Sequence, residues 1–208
     1  MTEPMNDLLT LSQLEAAPIL SRGFYQRPTV EVAEGLLGAL LVRRDAGGVV
    51  AVRITEVEAY LGIADPACHT FGGRRTRRNA SMWGPAGHAY VYRIYGLHCC
   101  LNIVTVGVGT PEAVLIRGAT TVHGGRLVGE RRGRSIARRA WTDGPGKLCQ
   151  ALAIGLSDDG ADLYSQDGAL TLRRDDGGTE VGEVERLPRV GVDYAREAAG
   201  WPLRLRVR

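Results

Sequence analysis

Glu56 and Glu58 lie in a strand-like apolar run, R-I-T-E-V-E-A-Y, that ends on Tyr60. A carboxylate in such a place can activate a water as general base. It can also set a negative charge beside an electron-poor sugar carbon, and hydrolysis of a glycoside needs both. On the residues alone either Glu qualifies, and a strand Glu is more often a solvated side chain. Close behind come Arg74, Arg75, Arg77 and Arg78, then a tyrosine-rich hairpin, Tyr90-Val91-Tyr92-Arg93-Ile94-Tyr95-Gly96. No Asp or Glu occurs between Pro66 and Pro111. A cationic surface interleaved with aromatics is the footprint of a nucleic-acid backbone with stacked bases. A carboxylate beside it points to chemistry on a base or sugar rather than to binding alone.

The rest of the chain must hold these residues together. Its 208 residues suit one domain over 1–208, with residues 1–10 as a flexible tail, and 44% hydrophobic with 24% charged content is ordinary for a globular protein. The net charge is only +3, so clustering and not the total carries the electrostatic argument. Lys147 is the only lysine, which leaves few amines for a Schiff base. The four cysteines (Cys68, Cys99, Cys100, Cys149) form no CxxC, and no HxxxH or HExxH occurs, so neither a metal site, a cofactor nor a zinc-dependent base deaminase is expected. The N-terminus has no signal-peptide pattern and no apolar run reaches membrane-spanning length. The expectation is a cytoplasmic, nucleoid-associated monomer with reduced, buried thiols and no membrane contact.

Periodicity predicts a short helix within Leu11–Arg22 and a second at Val30–Leu37, with Thr29 as N-cap and Gly38 as terminator. A hairpin follows: Ala39–Arg44, a turn at 45–48, then Val49–Ala59, where Val50, Val52 and Ile54 alternate with Ala51, Arg53 and Thr55. Tyr60–Ala80 reads as a long loop, and loops of that length in a compact domain are usually functional. A second hairpin joins Tyr90–Ile94 to His98–Thr105, and Ala113–Ala119 is a buried strand interrupted by Arg117. Asp143 should cap a helix Pro145–Ile154 closed by Gly155. Strands are expected at Ala169–Arg173, Arg189–Val192 and Leu203–Val207, with a turn at 175–178. The sum is an α+β domain with a curved, mostly antiparallel, barrel-like sheet, flanking helices and a protruding hairpin.

The ordered runs E-x-E-A-Y-L-G (Glu56–Gly62), D-x-A-x-H (Asp65–His69), G-G-R-x-T-x-R-N (Gly72–Asn79) and Y-V-Y-x-I-Y-G (Tyr90–Gly96) resemble one family. So do C-x-N-I (Cys100–Ile103), V-L-I-R (Val114–Arg117), G-P-G-K-L-C-Q-A-L-A-I (Gly144–Ile154), R-V-G-V-D-Y-A (Arg189–Ala195) and P-L-R (Pro202–Arg204). The chain is similar over roughly residues 20–208 to the alkyladenine (3-methyladenine) DNA glycosylases of the mammalian type. The resemblance implies a monofunctional base-excision repair enzyme. It would extrude an alkylated or deaminated purine from double-stranded DNA on the minor-groove side, hydrolyse the N-glycosidic bond and leave an abasic site.

It also implies roles. Glu58 falls where the family carries its general base, and Arg117 where it pairs that acid and holds water. Tyr60, His69, Tyr92 and Asn102 match the base pocket, Asn102 through an amide that clashes with the amino group of guanine. Tyrosine faces suit cationic alkylpurines by stacking and cation–π attraction, about 0.5–2 kcal/mol each. Tyr90 is expected in the core or pocket wall. Tyr95 matches the wedge that fills the gap left by the flipped nucleotide, with Met82 flanking it. Arg74, Arg75, Arg77, Arg78, Arg93 and Lys147 are candidate phosphate contacts, Lys147 through its helix start. After Gly96 the chain reads Leu97-His98-Cys99, less aromatic than animal members. On the residues alone two other classes stay open: a DNA-damage binder without turnover, and an RNA-binding or nucleoside-hydrolysing protein.

Overall fold

The computed structural model describes residues 7–175 and 181–208. One antiparallel sheet of eight strands dominates it. In chain order these are β1 (Leu40–Asp45), β2 (Gly48–Tyr60), β3 (Ala89–Ile94), β4 (His98–Gly107), β5 (Thr110–His123), β6 (Leu170–Arg173), β7 (Val184–Leu187) and β8 (Arg204–Val207). The order is β3-β4-β5-β2-β1-β6; β8 pairs with β2, and β7 with β8. The fold is α+β, and the sheet stays open where the sequence reading expected a barrel-like one. Among the described residues five α-helices flank it: α1 (Leu11–Ala16), α2 (Arg22–Tyr25), α3 (Thr29–Leu36), α4 (Gly125–Arg132) and α5 (Pro145–Ala151). None of the described helices is long and apolar enough to cross a membrane.

The hub is β2. Its first half pairs with β1 and its last residues with β8 on that same edge, while β5 runs along the other. Val50, Val52 and Ile54 enter the main core, as their alternation predicts, but farther along Val57 and Ala59 do so instead. The parity changes because β2 advances two residues from Ile54 to Glu56 while β5 advances one, from Ala119 to Gly118. The compensating extra residue on β5 is Arg117, since Glu56 faces Gly118 and Val57 faces Ile116. Bulges re-aim side chains. Without them, strict alternation would put Glu56 and Glu58 in the apolar core with Ile54.

Several boundaries differ from the sequence reading for local reasons. Leu8 and Leu9 donate to the Val122 carbonyl at 2.8 and 3.0 Å, so the described end of the expected tail is tied to the sheet; residues 1–6 lie outside the described residues. Pro28 and not Thr29 caps α3, because the Thr29 hydroxyl is drawn into a buried cluster with Thr105 and Glu112. Gly144 replaces Asp143 as the cap of α5, and Asp143 pairs with Lys147 at 2.8 Å. That helix ends before Gly155 because Ala153 adopts a left-handed φ of 49° and Ile154 N–H returns to the Cys149 carbonyl at 2.8 Å. No strand forms at Arg189–Val192; the strand of that region is β7. Of the expected turn at 175–178, residues 176–178 lie outside the described residues.

Candidate active site

Glu58 sits on β2, opposite Leu115 of β5 and Arg204 of β8, and is fully buried. Its Oε2 accepts the Tyr60 hydroxyl at 2.9 Å and its Oε1 accepts the Val190 N–H at 2.7 Å. Arg117, presented by its bulge, brings Nη1 to 3.5 Å from Oε1. Burial pushes the Glu58 carboxyl above its ordinary range, and Arg117, the Val190 N–H and the Tyr60 hydroxyl pull only partly against it. A raised carboxyl is a stronger base than a solvated one.

In front of this carboxylate lies a cavity of about 400 Å³, within the size range of small-molecule sites. Tyr60, His69, Tyr92, Asn102 and Arg117 all line it, as does Tyr95 from the hairpin. Glu58 itself does not; it stands directly behind Tyr60 and Arg117. Burial, then the Glu58 carboxylate, pushes the Tyr60 phenol far up, so it remains a donor. His69 Nδ1 bonds the Tyr90 hydroxyl at 2.8 Å, and its ring meets Tyr92 edge-on at 4.7 Å. Burial, followed by Arg78 and Arg74, lowers the His69 pKa. A neutral imidazole there does not repel a cationic ligand. Tyr90 is buried in the wall, in agreement with the sequence reading. The Asn102 side chain donates to the Tyr90 carbonyl at 3.0 Å while still lining the cavity.

Tyr95 stands at the tip of the β3–β4 hairpin, 91% exposed, with a left-handed φ of 48°. Leu97 beside it is 82% exposed. Met82 is 2% exposed; it packs with Cys68, Tyr90, Val104 and Ala113 and lines the same cavity as Tyr95. Arg74, Arg75, Arg77, Arg78 and Arg93 are all exposed, and none makes an ion pair among the described residues. Arg75 rests over Trp83, and Arg78 over Tyr92 at 5.0 Å. Lys147 is exposed but held by Asp143, so any phosphate has to compete for it.

Sequence reasoning gave no role to Arg189, Asp65 or Arg204 and weighed Glu56 only as a rival base, yet all four groups border the site. Arg189 and Asp65 form a fully buried ion pair, and the guanidinium lies 4.8 Å from the Tyr60 ring centre. Arg189 does not line the cavity, whereas Tyr60 does, so the guanidinium supports the ring from outside the cavity. Glu56 binds Arg117 Nε at 3.3 Å and Arg204 Nη1 at 3.0 Å. All four lie in motifs quoted above; buried charges in a short motif are the signal that marks them. Among the described residues no group of three or more His, Cys, Asp or Glu is placed to hold a metal ion.

Comparison with known proteins agrees with this geometry. Residues 23–208 match the family model described as methylpurine-DNA glycosylase (MPG). The chain is 46% identical over 187 residues to a protein of Methanocella arvoryzae, covering 90% of this chain and 91% of that one. It is 47% identical to a protein of Methanoculleus marisnigri (89% and 93% covered) and 44% identical to one of Bdellovibrio bacteriovorus (91% and 95%). Each of the three bears the name "Putative 3-methyladenine DNA glycosylase". A buried acid behind an aromatic cavity, an exposed hairpin tyrosine and a match spanning nearly the whole chain lead to one conclusion: this protein belongs to the methylpurine-DNA glycosylase family.

Proposed function

We propose that this chain is a monofunctional DNA glycosylase that acts as a cytoplasmic monomer on alkylated or deaminated purines in double-stranded DNA. The observation that carries the reading is the position of Glu58. Its carboxylate is desolvated and raised, and it lies directly behind a tyrosine- and histidine-lined cavity. The hairpin enters from the minor groove, Tyr95 fills the stack, and the extruded base slides between Tyr60, His69 and Tyr92. An N3- or N7-alkylated purine is a cation and already a good leaving group, so a neutral His69 and electron-rich ring faces suffice to hold it. Glu58 takes the proton from a water as that water attacks the anomeric carbon; the glycosidic electron pair leaves with the purine. The same negative charge offsets the oxocarbenium character of the sugar. Because Tyr60 covers Oε2, entry of the base turns the phenol aside and opens the carboxylate to that water.

A damage-binding protein without turnover is the second reading, and the full burial of Glu58 favours it. Duplexes carrying a single 7-methylguanine or hypoxanthine separate the two. Wild type should release free base and leave an alkali-labile abasic site. Glu58→Gln should bind the same duplex while base release falls by at least ~1000-fold. No free base from wild type would leave only the binder. A borohydride-trapped enzyme–DNA adduct would refute the monofunctional step.

A further inference from the structure

Arg117 takes its aim from Glu56 and not from Glu58. Its guanidinium makes its described hydrogen bond to Glu56, Nε to Oε1 at 3.3 Å, and reaches Glu58 only as a 3.5 Å ion contact. The same Glu56 oxygen accepts Arg204 Nη1 at 3.0 Å, and Arg204 Nε donates to the Pro188 carbonyl at 2.8 Å. Two residues past Pro188, the Val190 N–H donates to Glu58. The contacts therefore close a ring: Glu58, Arg117, Glu56, Arg204, the 188–190 segment, and Glu58 again. Room for it comes from Gly118, which faces Glu56 across the bulge; a Cβ there would lie 3.2 Å from Glu56 Cβ and 3.4 Å from Glu56 Oε2.

We propose that Glu56 and Arg204 are a positioning pair that aims Arg117 and the Val190 N–H at Glu58, and so sets the basicity of that carboxylate. The proposal rests on Glu58 being the base. Glu58 also faces Tyr60 from β2 and Cys100 from β4, and Arg189 and Tyr194 from the C-terminal segment. Those groups stay constant when the pair is altered. Two carboxylates and two guanidiniums alternate in the ring, so removing either member of the pair should act on Glu58 with opposite sign. Without the Glu56 charge, Arg117 is free to close on Glu58 and a like charge is gone; the ionised form gains. Without Arg204, Glu56 is left unneutralised, draws Arg117 away and repels Glu58; the ionised form loses.

Single-turnover base release from a 7-methylguanine duplex between about pH 5 and pH 9 tests this, because a cationic base needs no general acid and the acid limb reports Glu58. Glu56→Gln should move that limb to lower pH and Arg204→Gln to higher pH, each by about half a pH unit or more. Arg204→Lys, which keeps the charge, should leave it in place. At neutral pH both charge-removing variants should release base roughly ten- to a hundredfold more slowly, as misaimed groups do. A loss of rate with both limbs unmoved, or moved in one direction, would show a merely structural pair and overturn the proposal. If Glu56→Gln does not fold, the Arg204→Gln and Arg204→Lys contrast decides alone. Base release by Glu58→Gln at the wild-type rate would remove the reading beneath the proposal. An inactive Glu58→Gln with unmoved limbs in the pair would remove only the positioning role.

Discussion

In the proposed mechanism Glu58 carries the conflict between folding and chemistry. A carboxylate with no exposed surface and a pKa raised by burial is less comfortable ionised in the fold than in the unfolded chain. The sign of the linkage follows. Below the ordinary carboxylate range Glu58 is neutral in both states and costs nothing by ionising. As pH rises through that range the unfolded chain loses its proton first, and stability is lost until the folded carboxyl also ionises. Above that point the penalty is complete. Glu58→Gln has nothing to ionise, and Glu56 still pairs Arg117. This variant should therefore melt about 2–4 °C above wild type near pH 7.5, equivalent to ~1 kcal/mol for a chain of this size. The gain should shrink towards zero near pH 4.5, the ordinary value for a glutamate. Calorimetry at the two pH values checks both the sign and the window. A melting temperature that drops at pH 7.5 would mean that the surrounding donors outweigh the burial.

At the scale of elements, the β3–β4 hairpin shows the same trade. Tyr95 holds a left-handed φ of 48° with 91% of its surface exposed, so its conformation costs about 1–2 kcal/mol with no packing in return. Tyr95→Asn, which tolerates that φ, should keep or raise the melting temperature by a few degrees while excision from duplex DNA falls at least ~tenfold. Excision from a single-stranded lesion, where no stack has to be refilled, should change much less. This hairpin was legible from Tyr-Gly between two alternating strands, as was the β1–β2 hairpin from its glycines. The bulges were not. Thr55 and Arg117 carry no local mark of a parity change, and only the pairing of β2 with β5 shows that Val57 and Ala59 replace the even positions in the core. For the same reason the composition of Arg189–Val192 suggested a strand, whereas the Val190 N–H is spent on a carboxylate distant in sequence and not on a ladder. Motif order carries no depth: nothing in the sequence shows that Met82 is buried while Tyr95, which lines the same cavity, is exposed. Glu58, Tyr60, His69, Tyr92, Asn102 and Arg117 were legible as a set, and the structure brings all six together.

Over the whole molecule, a net charge of +3 understates the field that DNA would meet. Away from the site, several cations have acidic partners: Arg126 and Arg134 share Glu130, Arg206 and Arg208 share Glu185, and Arg131 pairs Asp45. Around the cavity the pattern reverses. Five arginines from Arg74 to Arg93 stand in a stretch with no acid, and no ion pair is described for any of them. The asymmetry of pairing and not the total charge makes one face cationic. Neutralising Z phosphates releases their counterions, and the logarithm of affinity then falls with the logarithm of salt by about 0.9 for each. With Arg74, Arg77 and Arg93 free and Arg75 and Arg78 resting on rings, a slope of about −3 to −4.5 is expected for duplex binding. Arg74→Gln and Arg77→Gln should each flatten it by ~1 and weaken damaged and undamaged duplexes alike, since phosphate contacts carry no lesion information. Arg126→Gln, which lies outside the acid-free stretch and has Glu130 as a partner, should leave the slope unchanged. Equilibrium titrations of a labelled duplex across a salt series give all four slopes. Equal flattening by Arg126→Gln and Arg74→Gln would mean that DNA reads the net charge and that the arginine-rich stretch is not its seat.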